Sequence, residues 1–206
     1  MKLTVASLFA LVPLLALATP TPPSTKCPYR HPQHITAKYD DLEFSDNYST
    51  PIPDGYNGLS YENFYTNDYD GFIKPASYNN TMISYDYRIP RLITVPEGVS
   101  KSYTFTPKSV YVGCSSGYPQ ADCFITLVGT KLVKKGRKWE EVTVKKNVVY
   151  PALDNKKEFL MLKVDFPRGK EWRGLKKLEF ADVGFEGRDD YRPGFIADNF
   201  EYALEC

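Results

Sequence analysis

The sequence predicts an all-β protein, a single β-sandwich of jelly-roll type, and three observations carry that prediction. Apolar and polar residues alternate with period two through the C-terminal two thirds. Leu160, Leu162, Val164 and Phe166, for example, are interleaved with Met161, Lys163 and Asp165. Turn-forming residues separate the alternating runs, as they do between strands that cross and recross a two-layer core. No stretch of ten residues or more repeats its apolar positions at the helical period.

The elements follow in order. A first strand is expected over residues 35–44. Between 45 and 87 the alternation fades and Tyr, Asn, Asp and Gly crowd together. That composition predicts long connections across one end of the sheets, where binding commonly resides. Tyr103, Phe105, Val110 and Val112 mark the next strand, interrupted at Pro107 and ended at Cys114. Runs over 124–133 and 139–145 flank Gly136, and strands over 160–166, 175–183 and 195–204 complete the sheets.

The N-terminal residues predict export. Lys2 precedes an apolar run over residues 3–17, and Ala16-Leu17-Ala18 offers the small-x-small pattern of signal-peptide cleavage. The run contains Pro13 and falls short of the roughly 20 apolar residues a membrane span needs. The expected organisation is a signal peptide over 1–18, a Pro/Thr-rich lead-in over 19–34 and one β-sandwich domain over 35–206. The expected product is secreted, extracellular and monomeric, with no membrane span.

Cysteine usage agrees. Cys27, Cys114, Cys123 and Cys206 are an even set with no CxxC spacing, which in an exported chain implies disulfides rather than a metal site. Of three possible connectivities the favoured one is Cys114–Cys123, closing a short loop between two strand-like runs, with Cys27–Cys206 tying the domain's start to its last residue. Asn47-Tyr48-Ser49 and Asn79-Asn80-Thr81 are N-glycosylation acceptors at Asn47 and Asn79.

Net charge is only +1, yet between Lys131 and Lys177 basic residues outnumber acidic ones by more than two to one. Trp139 and Trp172 lie inside that stretch. Such a run can line a groove for an acidic polysaccharide, with an aromatic ring stacking a sugar while Lys or Arg pairs its carboxylate. It can equally be the wet faces and protected edges of strands. Near-neutral net charge on an exported chain argues against nucleic acid as a partner.

The most distinctive segment is Ile52-Pro53-Asp54-Gly55-Tyr56-Asn57-Gly58-Leu59-Ser60-Tyr61-Glu62-Asn63-Phe64-Tyr65. Pro-Asp-Gly makes a turn, because Pro presets φ and Gly takes the positive φ that other residues resist. Either the loop presents Tyr56, Tyr61 and Tyr65 as sugar-stacking platforms, or these aromatics pin the loop to the sandwich. The ligand-binding candidates are Asp54, Tyr56, Asn57, Tyr61, Trp139 and Trp172.

Together with Tyr39-Asp40-Asp41-Leu42, the cysteines Cys114 and Cys123, and Ala197-Asp198-Asn199-Phe200-Glu201-Tyr202, this segment resembles the signature of a group of small secreted fungal proteins. That signature reads Ile-Pro-x-Gly-Tyr-x-Gly-Leu-x-Trp/Tyr-x-Asn-Phe. The chain departs from it in carrying Tyr61 where Trp is common, and in its basic middle. The resemblance implies a jelly-roll domain similar to carbohydrate-binding modules. It also brings Asp40, Asp41 and Glu43 into question beside Asp198, since the terminal strands of such modules lie side by side and often hold a structural calcium. Asp41 and Asp198 are the candidate ligands, with backbone carbonyls completing the shell; the alternative is that these carboxylates are solvated or hydrogen-bonded to turn amides.

Catalysis finds little material. His31 and His34 are the two histidines, both in the lead-in, so neither a Ser-His-Asp triad nor a zinc hydrolase is expected. A glycosidase needs only two carboxylates, and Glu62, Asp86, Glu158, Glu171 and Glu179 are available. The leading expectation is a non-catalytic module that binds an extracellular polysaccharide or glycan at a cell wall or host surface. The alternatives are a secreted effector that binds a host protein, and a small glycosidase or polysaccharide lyase.

Overall fold

The computed structural model describes residues 30–43, 50–68, 73–77, 80–84, 88–115, 122–151, 159–185 and 193–206. The expected leader, Cys27 and the sequon asparagines Asn47 and Asn79 lie outside the described residues. Alternation has become strands throughout. They are β1 (Gln33–Ala37), β2 (Thr50–Pro51), β3 (Ser60–Glu62), β4 (Tyr65–Asp68), β5 (Ile73–Lys74), β6 (Asn80–Ser84) and β7 (Leu92–Thr94). The longer strands follow: β8 (Thr104–Ser115), β9 (Cys123–Lys135), β10 (Lys138–Tyr150), β11 (Phe159–Leu160), β12 (Leu162–Asp165), β13 (Lys177–Phe185) and β14 (Gly194–Glu205). Two 3-10 turns, Tyr56–Gly58 and Lys170–Trp172, are the helical elements among the described residues.

Two antiparallel sheets pack face to face. One runs β12-β8-β14-β6-β4-β2, with β1 continuing the edge of β14 beyond β6. The other runs β10-β9-β13-β7-β3. A small parallel pair joins β5 to β11. Between the sheets lie Phe105, Val110, Phe200 and Tyr202 from the first and Ile93, Leu127, Leu178 and Phe180 from the second, all in one apolar cluster. Phe180 meets Phe195 and Phe64 at ring-centroid separations of 4.7 and 5.7 Å, in the tilted and edge-on arrangements aromatic pairs favour. The all-β sandwich expected from the sequence is the fold observed. No helix among the described residues is long and apolar enough to cross a membrane.

Several expectations are corrected. The 45–87 stretch is more than a set of connections: its described residues include β2, β4 and β6 of the first sheet, β3 of the second, and β5, which pairs with β11. Strand β1 starts at Gln33, inside the expected lead-in, and the chain leaves it at Tyr39, whose φ of 66° breaks the extended path. Pro107 does not interrupt β8. It lies beyond the end of β12, which pairs only with Ser109 to Val112, so no partner strand there requires its missing N–H. Met161 is buried in a side cluster with Ile73, Ile83 and Ile196, while Leu160 is 62% exposed, the reverse of the simple alternation. The reason is that Leu160 belongs to the short β11 rather than to β12.

Cys114 and Cys123 are disulfide-bonded, as expected, joining the end of β8 to the start of β9. Cys206 is also in a disulfide, and no described cysteine is free.

Candidate ligand-binding cleft

The signature loop is built inward. Gly55 takes φ 78° in the turn, and the amide of Tyr56 donates to the carbonyl of Pro53 at 3.1 Å. Three phenols then anchor the loop. Tyr202 donates to the Asn57 carbonyl at 2.8 Å, Tyr103 to the Gly58 carbonyl at 2.9 Å, and Tyr56 to Asp41 Oδ1 at 2.6 Å. Tyr56 also accepts from the Tyr39 amide at 3.2 Å. The rings of Tyr39, Tyr56 and Tyr61 gather at 5.7 to 6.1 Å. Burial pushes the Tyr56, Tyr61 and Tyr202 phenols up, so they stay neutral.

These contacts occupy most of the expected sugar platforms. Tyr61 is 8% exposed, in the apolar cluster that also holds Ile52 and Leu59. Tyr56 is half-buried and committed to Asp41. Trp172 is 2% exposed, packed edge-on against Phe166 at 5.0 Å. Asn57 contributes its carbonyl to Tyr202, and exposed Asp54 accepts the Ser60 hydroxyl. Trp139 alone of the four expected platforms stands out, 51% exposed near the tip of the β9–β10 hairpin and opposite Lys134.

The expected calcium ligands also have protein partners. Asp198 accepts from the Ser77 amide at 2.8 Å and the Asn199 amide at 2.7 Å, with the Ser77 hydroxyl at 3.2 Å. Burial, reinforced by the nearby Asp40 charge, raises its pKa to about 6 against these hydrogen bonds. Among the described residues no three His, Cys, Asp or Glu side chains gather as a metal site. A calcium at Asp41 or Asp198 would have to displace these bonds.

The concave feature is elsewhere. A cleft of about 730 Å³ opens on the outer face of the first sheet, between β8, β12, β14 and the 166–173 segment. Strand register builds its floor: Asp165 on β12 and Glu201 on β14 both pair with Ser109 on β8, so the three form one row across three strands. Two bulges bracket that row. On β8 the register steps from Ser109–Glu201 to Pro107–Tyr202, leaving Lys108 as the extra residue. On β14 it steps between Asp198 and Glu201, where Asn199 takes φ 46°. Bulges re-aim side chains in this way beside functional sites.

The wall is held rigidly. The Phe166 amide donates to the Lys108 carbonyl at 2.8 Å, and Trp172 locks Phe166 from beneath. The Gly174 amide donates to Thr106 Oγ1 at 3.1 Å, and Lys131 Nζ reaches the Lys170 carbonyl at 2.8 Å. Trp172 is therefore an anchor for the segment that carries Arg168 and Arg173. Those two arginines, with Lys108 and Lys163, set four cations against the carboxylates of Asp165 and Glu201. Lys163 lies 5.8 Å from the Tyr111 ring centroid and 4.0 Å from Asp165. Lys108 Nζ lies 2.7 Å from His34 Nδ1.

Sequence reasoning reached part of this. The basic run includes Arg168 and Arg173, and Pro107 pointed to irregularity beside Lys108. Ser109 and Glu201 carried no signal, because their proximity depends on the register of strands far apart in the chain.

A protein-family profile described as "Domain of unknown function (DUF7371)" matches residues 18–203. No curated protein matches the chain.

Proposed function

From a chain that belongs to the DUF7371 family, we propose an extracellular, non-catalytic module that binds glycans through the cleft between β8, β12 and β14. The observation that carries this reading is the row Asp165–Ser109–Glu201 on the floor of a cleft of about 730 Å³. Carboxylates and a hydroxyl in a line suit the hydroxyl groups of a sugar, and a sheet face holds them in fixed positions. The size suits a short oligosaccharide rather than an open protein interface. Secretion from the N-terminal pattern and the resemblance to carbohydrate-binding modules point the same way.

A second reading has one observation behind it. Asp165 and Glu201 stand on either side of β8, so their backbones are about 9–10 Å apart at normal strand spacing. Their side chains can approach the carboxylate separations of glycosidases.

The test is retention of the protein on insoluble polysaccharides, from chitin, β-glucan and cellulose to pectins, with reducing ends and unsaturated products assayed in the supernatant. Retention without product is the expected result. Product that disappears with Glu201→Gln would favour the hydrolase instead, and no retention on any polymer would remove the glycan reading.

A further inference from the structure

Ser109 is 2% exposed, and its hydroxyl has no hydrogen-bond partner. A buried hydroxyl left unpaired costs about 1–3 kcal/mol, so such groups are rare and call for an explanation. This one lies in the cleft floor, between two carboxylates and next to the Lys108 bulge. On the wall above, the guanidinium groups of Arg168 and Arg173 have no side-chain partner among the described residues, and both residues are exposed. Unpaired arginine forks on the wall, above a floor of two carboxylates and a covered, unpaired hydroxyl, are complementary to one kind of ligand. It carries an anionic group for the arginines and neutral hydroxyls for the floor.

We propose that the cleft selects an anionic saccharide, with a uronate carboxylate or a sulfate paired by Arg168 and Arg173. The sugar hydroxyls meet Asp165 and Glu201, and one reaches Ser109 by parting the side chains that cover it. This deepens the glycan reading and rests on it. Arginine suits the task because its planar fork pairs carboxylate or sulfate oxygens two at a time. The floor carboxylates oppose an anion placed deep, so the acid group is held at the wall and the uncharged part of the sugar at the floor. Lys108 and Lys163 flank the row and keep the whole cleft net positive.

Calorimetric titration of the disulfide-intact protein with three tetrasaccharides tests this: tetragalacturonate, its fully methyl-esterified form and a sulfated galactan. The expected result is binding of at least one charged probe about tenfold or more tighter than the ester, since a hydrogen bond to a charged group is worth more than a neutral one. Which charged probe binds tells carboxylate from sulfate. Arg168→Ala and Arg173→Ala should each narrow the gap between charged and esterified probes while melting as the parent does. Ser109→Ala should weaken every probe that binds by about fivefold without lowering the melting temperature, which a merely structural serine would not do. Equal binding of acid and ester would overturn the anionic site and leave the glycan reading standing. No binding by any of the three probes would likewise overturn the anionic site, and the glycan reading would then stand or fall on the polysaccharide panel.

Discussion

The signature loop and the cleft use similar residues to opposite ends. Around the loop over 52–64 three phenols are spent on holding it: Tyr56, Tyr103 and Tyr202 donate to Asp41 and to the carbonyls of Gly58 and Asn57. In the cleft three groups are unspent, Ser109 unpaired and Arg168 and Arg173 open to solvent, beside Thr106 and Lys108, which already have partners. The loop is the more distinctive sequence, yet its distinctiveness records a packing problem. A turn that must seat several phenols on a sandwich tolerates few residues. The cleft has no motif, because three strands supply its floor through register. Strand β14 serves both regions, placing Tyr202 under the loop and Glu201 in the cleft.

The largest expected effect falls on the cleft wall. Trp172→Ala should destabilise the fold by about 3–5 kcal/mol, the usual loss for a large buried aromatic, and should weaken ligand binding through a displaced Arg168–Arg173 segment. Chemical denaturation measures the first effect and titration at a temperature where the variant is folded measures the second. A Trp172→Ala protein with unchanged stability would mean that this ring is not an anchor.

Asp198 gives a pH-dependent contrast. Its folded pKa, about 6, lies above its unfolded value, so the native state holds the proton more tightly. Its contribution is fully present below pH ~4 and is lost as pH rises through about 6, with a ceiling of about 3 kcal/mol for a shift of roughly two pH units. Relative to Asp198→Asn, the parent should therefore lose ground steadily between pH 4 and 7 in melting temperature. A constant difference across that range would contradict the burial of this carboxyl.

Tyr202→Phe removes the hydroxyl that holds the Asn57 carbonyl and should cost about 1–2 kcal/mol while leaving saccharide affinity unchanged. Trp139→Ala, on an exposed hairpin tip, should change stability by less than about 0.5 kcal/mol. Urea midpoints resolve both, and a large stability loss at Trp139 would show that the hairpin packs against more than its own strands.

Much of the fold was legible because period-two patterning reports strand burial directly. The long strands β8, β9, β13 and β14 lie within a few residues of their expected positions, and the Cys114–Cys123 bond joins the two runs expected to flank it. The site was less legible. Trp139 and Trp172 sit in one basic stretch, but Trp172 lies in a 3-10 turn folded back onto Phe166, a contact that composition does not encode. Leu160 and Met161 exchanged faces because a strand break falls between them. The Lys108 and Asn199 bulges shift register by one residue, and a one-residue shift decides which side chains meet across a sheet.

The most direct measurement compares tetragalacturonate affinity in two variants with equally exposed sites, Arg173→Ala at the cleft and Asp54→Ala in the signature loop. Binding in the cleft requires about a tenfold loss for Arg173→Ala and parental affinity for Asp54→Ala. Parental affinity in Arg173→Ala together with a loss in Asp54→Ala would return the binding site to the loop.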